Sequence, residues 1–121
     1  MIEHLGPERR LATYGSLAPG RSNHHELDGL SGRWSTGTVR GRLVSEGWGA
    51  GLGHPAIVLD LSGTDPTAID VDVVVFESSD LAAHWSRLDA FEGSGYERVV
   101  VTVRTGAGAV EASIYALAPP P

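Results

Sequence analysis

Residues 80–98 change their hydrophobic period partway along, and that change limits what the chain can fold into. Leu81, Trp85 and Leu88 stand at i, i+4 and i+7 and stack on one helical face, which predicts a helix over 80–89. From Tyr96 onward apolar and polar residues alternate, the pattern of a half-buried strand over 96–104. The join reads Leu88-Asp89-Ala90-Phe91-Glu92-Gly93-Ser94-Gly95-Tyr96-Glu97-Arg98. Phe91 can anchor this helix-to-strand junction in a core while Glu92 points elsewhere. Gly93 and Gly95 admit backbone angles that a β-carbon forbids. A carboxylate held between a hydrophobic plug and a glycine turn suits proton transfer. Taken alone, a solvated turn acid is the simpler reading of Glu92.

The remaining segments read mostly as strands. Residues 11–14 are short and apolar, and run into Gly15-Ser16-Leu17-Ala18-Pro19-Gly20, a loop framed by breakers. Ser22 or Asn23 can cap a short helix ending near Leu27. Within 34–46, Val39 and Leu43 share one strand face, and Arg40 and Arg42 the other. Residues 47–53 are glycine-rich around Trp48 and predict a mobile rim loop. Residues 56–61 read as a buried strand, 62–67 as a turn, and the β-branched run 69–76 as a central strand. Ser78 or Ser79 can cap the helix that follows, with Asp80 favourable at its N-terminus. Residues 106–108 turn the chain into a last alternating strand over 110–117. Residues 1–9 and 118–121 are expected to be a loose lead-in and a loose tail. About six strands with one clear helix predict an α+β fold, a small curled or closed sheet, as one domain over 1–121.

Bulk chemistry excludes several classes of function. The 41% of hydrophobic residues supports a core. A net charge of −6 without a basic stripe argues against nucleic acid and anionic membrane surfaces. Neither a bilayer-spanning run nor a signal-peptide pattern is visible. Without cysteine there is no disulfide, thiolate nucleophile or thiolate metal ligand. A cytoplasmic protein is expected.

Tyr14-Gly15-Ser16-Leu17 leaves a strand end, where glycine can turn backbone N–H groups toward an anion or oxyanion. An ordinary strand-to-turn transition remains the competing reading. Ser16 lacks the Gly-Xaa-Ser-Xaa-Gly elbow of a nucleophile and is assigned to binding. His24 and His25 are adjacent and diverge, so they do not chelate as an i, i+4 pair, and no metal is expected. His54 precedes Pro55 and suits a turn, and His84 is expected on the helix surface. Trp34 and Trp48 fit either core or a docking face.

Taken together and in order, these pieces resemble the γ-glutamylcyclotransferase-like family, including the γ-glutamylamine cyclotransferases. The residues that carry the resemblance are Tyr14-Gly15-Ser16-Leu17, Gly20-Arg21-Ser22-Asn23-His24, His54-Pro55-Ala56, Leu88-Asp89-Ala90-Phe91-Glu92-Gly93, Tyr96-Glu97-Arg98 and Tyr115. The resemblance runs from about Leu11 to Leu117. It implies a small mixed β-barrel with flanking helices, and a cofactor-independent enzyme that converts a γ-glutamyl amine or peptide to 5-oxoproline and free amine. It places Glu92 on the catalytic glutamate and Gly15, Ser16 and Leu17 on the loop that holds the substrate carboxylate. Tyr14, Tyr96 and Tyr115 fall at pocket positions. A small-molecule γ-glutamyl substrate is the implied partner, with the chain a monomer or homodimer. Val73 stands where many members have glycine. A non-catalytic small-ligand-binding domain of the same fold is the alternative.

Overall fold

The computed structural model describes residues 6–15, 17–21, 24–44, 56–93 and 95–117. Six strands carry the fold: β1 (Arg10–Thr13), β2 (Arg33–Val44), β3 (Ala56–Leu59), β4 (Ile69–Glu77), β5 (Tyr96–Thr105) and β6 (Gly108–Leu117). The helix α1 spans Trp85–Glu92. Short 3₁₀ turns lie at Pro7–Arg9, His24–Leu27 and Ser79–Ala83. The sheet order is β3-β2-β4-β1-β6-β5, and β2 also pairs with β5 at Thr38 and Arg104. That last pairing closes β2, β4, β1, β6 and β5 into a five-stranded barrel, with β3 added outside on β2. The barrel is mixed because β1 runs parallel to β6 while the other pairs are antiparallel.

Strand alternation fills two cores at once. Inward residues of all five barrel strands meet inside: Ala12, Val39, the Val71-Val73-Val75 series, Val101 and Val103, and Ala112, Ile114 and Ala116. The neighbours of these residues face outward and build a second core. Leu11, Phe76 and Tyr115 pack there against Leu17, Leu27, Leu81, Trp85 and Leu88. One stripe of the helical segment therefore covers one patch of barrel wall. Val73 fills the barrel interior and is buried.

Closure depends on Gly37. A β-carbon there would stand 2.6 Å from Val103 Cγ1 and 2.7 Å from the Arg104 carbonyl oxygen, so only glycine lets β2 and β5 meet so closely.

The helical segment departs from the single helix expected over 80–89. A 3₁₀ turn capped by Ser78, whose hydroxyl accepts from the Asp80 N–H at 3.1 Å, gives way at His84 to α1. The break has tertiary causes. His84 donates from Nε2 to the Glu26 carbonyl at 2.8 Å, and Trp85 donates from Nε1 to the Glu8 carbonyl at 2.8 Å. His84 is thus a half-buried connector, not a helix-surface residue. The helix then continues one turn further than expected, to Glu92. Gly93 ends it at φ +78°, donating its N–H to the Asp89 carbonyl at 3.0 Å.

Trp34 belongs to packing. It is half-buried and stacks on Phe76 with centroids 4.8 Å apart, with His24 tilted against it at 5.6 Å. Among the described residues no helix is long and apolar enough to cross a membrane. The expected rim loop over 47–53, with Trp48, and His54-Pro55 lie outside the described residues.

Candidate active site

Element ends gather at one end of the barrel. Because β1 and β6 run parallel, Tyr14, just past β1, lies beside the C-terminal end of β6 with Tyr115. Antiparallel β5 brings its first residue, Tyr96, opposite Leu117, and places Arg98 opposite Tyr115. The last turn of α1 delivers Glu92 to the same place. Both Tyr14 and Tyr115 are close enough to feel its charge.

Two carboxylates three residues apart on α1 meet opposite environments. Asp89 accepts from Arg98 twice, Nε to Oδ1 at 2.9 Å and the second nitrogen to Oδ2 at 3.2 Å, and from the Tyr115 hydroxyl at 2.6 Å. The Arg98 hydrogen bonds, helped by Tyr115 and opposed by partial desolvation, hold the Asp89 carboxyl below its ordinary value. The Arg98 guanidinium also sits over the Trp85 ring, 4.6 Å from the centroid. Glu92 has no ion pair among the described residues. Burial alone pushes its carboxyl from an ordinary 4.5 to about 7. Environments that push neighbouring carboxyls apart in this way separate a fixed anion from a proton carrier.

The hydroxyls of Tyr14 and Tyr115 are committed to the fold. Tyr14 donates to the Tyr115 carbonyl at 2.7 Å and accepts from the Ile57 N–H at 3.0 Å, so it ties β1, β3 and β6 together. Burial raises its pKa, the Ile57 N–H opposes that rise, and Tyr96 and Glu92 add to it. Burial also raises the pKa of Tyr115, reinforced by its bond to Asp89. Both phenols therefore stay protonated at neutral pH. Tyr14 offers a ligand its ring and one remaining lone pair.

The loop after β1 is only partly visible, since Ser16 lies outside the described residues. The Gly15 N–H donates to the Thr13 hydroxyl at 3.3 Å, a long bond that a stronger acceptor can compete with. Leu17 is buried in the second core, and its carbonyl accepts from His24 Nδ1 at 3.0 Å. A β-carbon on Gly15 would meet nothing within 4 Å, and its φ is not positive, so the fold places no demand for glycine there. Gly15→Val is accordingly expected to leave the thermal midpoint nearly unchanged, while its side chain fills the open space beside the Gly15 N–H and weakens ligand binding roughly ten-fold or more. Calorimetric binding and melting of the same variant check this, and a variant that binds as well as wild type removes the cradle.

Glu92, Tyr14, Tyr96 and Tyr115 thus converge, and the Gly15 loop adjoins them. The sequence reading gave no role to Asp89 and Arg98, which hold the last turn of α1 against β5. Their signal was a carboxylate three residues before Glu92 and an arginine just past the glycine turn.

The fold is a small closed mixed barrel, and Glu92, desolvated and without an ion pair among the described residues, lies at one end of it. Residues 11–121 match the family described as gamma-glutamyl cyclotransferase, AIG2-like, and the chain belongs to that family. Comparison with curated proteins gave no significant match. Among solved structures the chain is similar to YkqA from Bacillus subtilis, with 29% identity and a TM-score of 0.66 over 90% of this chain and 35% of that one. The chain thus spans about a third of YkqA. It shares its fold with an AIG2-like protein from Mus musculus, at 24% identity and TM-score 0.61 over 91% of this chain and 77% of the other. The same holds for PH0828 from Pyrococcus horikoshii, at 23% identity and TM-score 0.60 over 93% and 80% of the two chains.

Proposed function

We propose that the chain converts a γ-glutamyl amine or peptide to 5-oxoproline and the free amine, with Glu92 as general base and then general acid. The observation that carries this reading is the Glu92 carboxyl, without an ion pair among the described residues and raised by burial to about 7, where it can both take and give a proton. Family membership points to cyclotransferase chemistry in general. The reaction needs little else from the protein. The substrate carries its own nucleophile, and folding it in the pocket brings the α-nitrogen to the γ-carbonyl carbon as an intramolecular attack.

Ionised Glu92 takes one proton from the α-ammonium. The freed amine attacks the γ-carbonyl, forming the ring C–N bond and an oxyanion, while the Gly15 loop binds the substrate's α-carboxylate. Glu92 then gives its proton to the departing nitrogen as the original amide C–N bond breaks. The ring nitrogen sheds a second proton, by the same carboxylate or through solvent, and the amine departs as ammonium. No net proton is produced. Asp89 stays ionised and paired, and its role is to fix the helix turn that presents Glu92.

The test is product. Incubation with a panel of γ-glutamyl amines, amino acids and peptides is expected to release 5-oxoproline from at least one of them. Tight binding with no 5-oxoproline from any would instead establish a ligand-binding domain.

A further inference from the structure

Leu17 is held from two sides. Its side chain is buried in the second core, and its carbonyl accepts from His24 Nδ1 at 3.0 Å. A carbonyl oxygen can only accept, so the proton of the His24 ring stands on Nδ1. With both side chain and carbonyl fixed, the Leu17 N–H keeps little freedom of direction, and among the described residues it has no acceptor. The Gly15 N–H, two residues earlier, is held by the long 3.3 Å bond to Thr13. The loop proposed to bind the substrate α-carboxylate thus offers weakly committed donors, and a histidine side chain sets its far end.

His24 is itself firmly placed. Backbone bonds draw the chain inward step by step, from the Ala18 N–H to the Gly15 carbonyl at 3.2 Å, from Arg21 to Ala18 at 3.0 Å and from His24 to Arg21 at 3.3 Å. The ring is half-buried and tilts against Trp34, which stacks on Phe76 of the barrel wall. The 3₁₀ turn His24–Leu27 is fastened in turn to the helical segment that ends in Glu92. Leu27 is buried in the second core, the Glu26 carbonyl accepts from His84 Nε2 at 2.8 Å, and the Glu26 carboxylate pairs with Arg87 of α1 at 3.4 Å. One short turn therefore takes its position from the helical segment and passes it to the loop after β1. We propose that His24 is a positioning residue, whose bond to the Leu17 carbonyl aims the N–H groups of Gly15 and Leu17 at the substrate α-carboxylate and keeps them in register with the helix that presents Glu92. This inference rests on the proposed cyclotransferase reading.

The test uses 5-oxoproline as the probe, because its carboxylate is the α-carboxylate of a γ-glutamyl substrate. His24→Asn keeps a donor where Nδ1 stood but loses the ring. His24→Phe keeps a ring against Trp34 but has no donor. His24→Phe is expected to weaken calorimetric binding of 5-oxoproline about three- to ten-fold, the scale of one lost hydrogen bond. It should raise KM for a γ-glutamyl substrate by a similar factor and leave kcat nearly unchanged, since the carboxylate is held alike in the ground and transition states. His24→Asn should stay close to wild type in both. A histidine that only packs gives the reverse order, with His24→Asn the weaker binder; that order, or a His24→Phe variant that binds as wild type does, overturns the assignment. The wild-type ring gives a second reading without any variant. Its ¹⁵N shifts are expected to show the neutral tautomer protonated on Nδ1, and protonation on Nε2 alone overturns the bond to Leu17. If the two variants separate in 5-oxoproline binding while no γ-glutamyl compound is turned over, the positioning role stands and the cyclotransferase reading fails. If turnover is observed and both variants match wild type, the positioning role fails alone.

Discussion

Glu92→Gln is expected to cut 5-oxoproline release by roughly 10²–10⁴-fold, the usual contribution of a positioned acid–base group. The amide keeps the size of the side chain and its place on α1 but cannot carry the proton from the α-nitrogen to the leaving nitrogen. The same substitution should stabilise the fold at neutral and alkaline pH. Burial raises the Glu92 carboxyl from 4.5 to about 7, so between those values the native state holds a proton that the unfolded chain has released. Stability therefore falls as pH rises through that window, and above it the full cost of the buried charge remains. Glutamine carries no charge, so the variant should gain about 1–3 kcal/mol at pH 8 and almost nothing at pH 4, where both forms are neutral. Urea unfolding at the two pH values reads this out. Glu97→Gln, exposed on β5, is the control and should be nearly silent in both assays. Loss of activity in the Glu97 variant instead of the Glu92 variant would overturn the assignment.

Leu88→Ala is expected to cost about 2–5 kcal/mol of stability, as for other fully buried leucines. Leu88 is 0% exposed and packs in the core that joins α1 to the barrel wall through Leu11, Phe76 and Tyr115. It also stands one helical turn before Glu92, so a cavity there loosens the turn that presents the carboxyl. Activity per folded molecule should fall along with stability. Urea titration with rates measured well below the midpoint separates the two effects, and a loss under about 1 kcal/mol would mean that α1 is not anchored through Leu88.

Local periodicity made much of this fold legible. The runs 69–76, 96–104 and 110–117 became β4, β5 and β6 because each alternates between a barrel-facing and an outward residue, visible in the pair Val75 and Phe76. Pairing was less legible, because alternation says which residues turn inward but not which strands meet. Nothing local to Gly37 shows that its missing side chain makes room for Val103. The break at His84 was hidden for the same reason. Leu81, Trp85 and Leu88 share a face whether the helix is continuous or interrupted, and the interruption comes from bonds to Glu26 and Glu8, both distant in sequence.

The site divides along the same line. Glu92 stood out because phenylalanine and glycine flank it in the sequence. Its environment depends on tyrosines that β1, β5 and β6 bring from 14, 96 and 115. The hydroxyls of Tyr14 and Tyr115 turned out to serve the fold, one holding Ile57 and the Tyr115 carbonyl, the other holding Asp89. Such partners arise only on folding, and no spacing rule reveals them. Asp89 and Arg98 were within the motifs already singled out, but their bidentate pair forms across the glycine turn.

The mechanism turns on a single property, a half-buried Glu92 carboxyl that burial desolvates and that has no ion pair among the described residues. Selective ¹³C labelling of glutamate and an NMR titration of the Glu92 side-chain carboxyl measure it directly, with Glu92→Gln to assign the resonance. The predicted midpoint is about 7, well above the ordinary 4.5. A midpoint near 4.5 would show a solvated turn acid and contradict the assignment of Glu92 as the proton carrier.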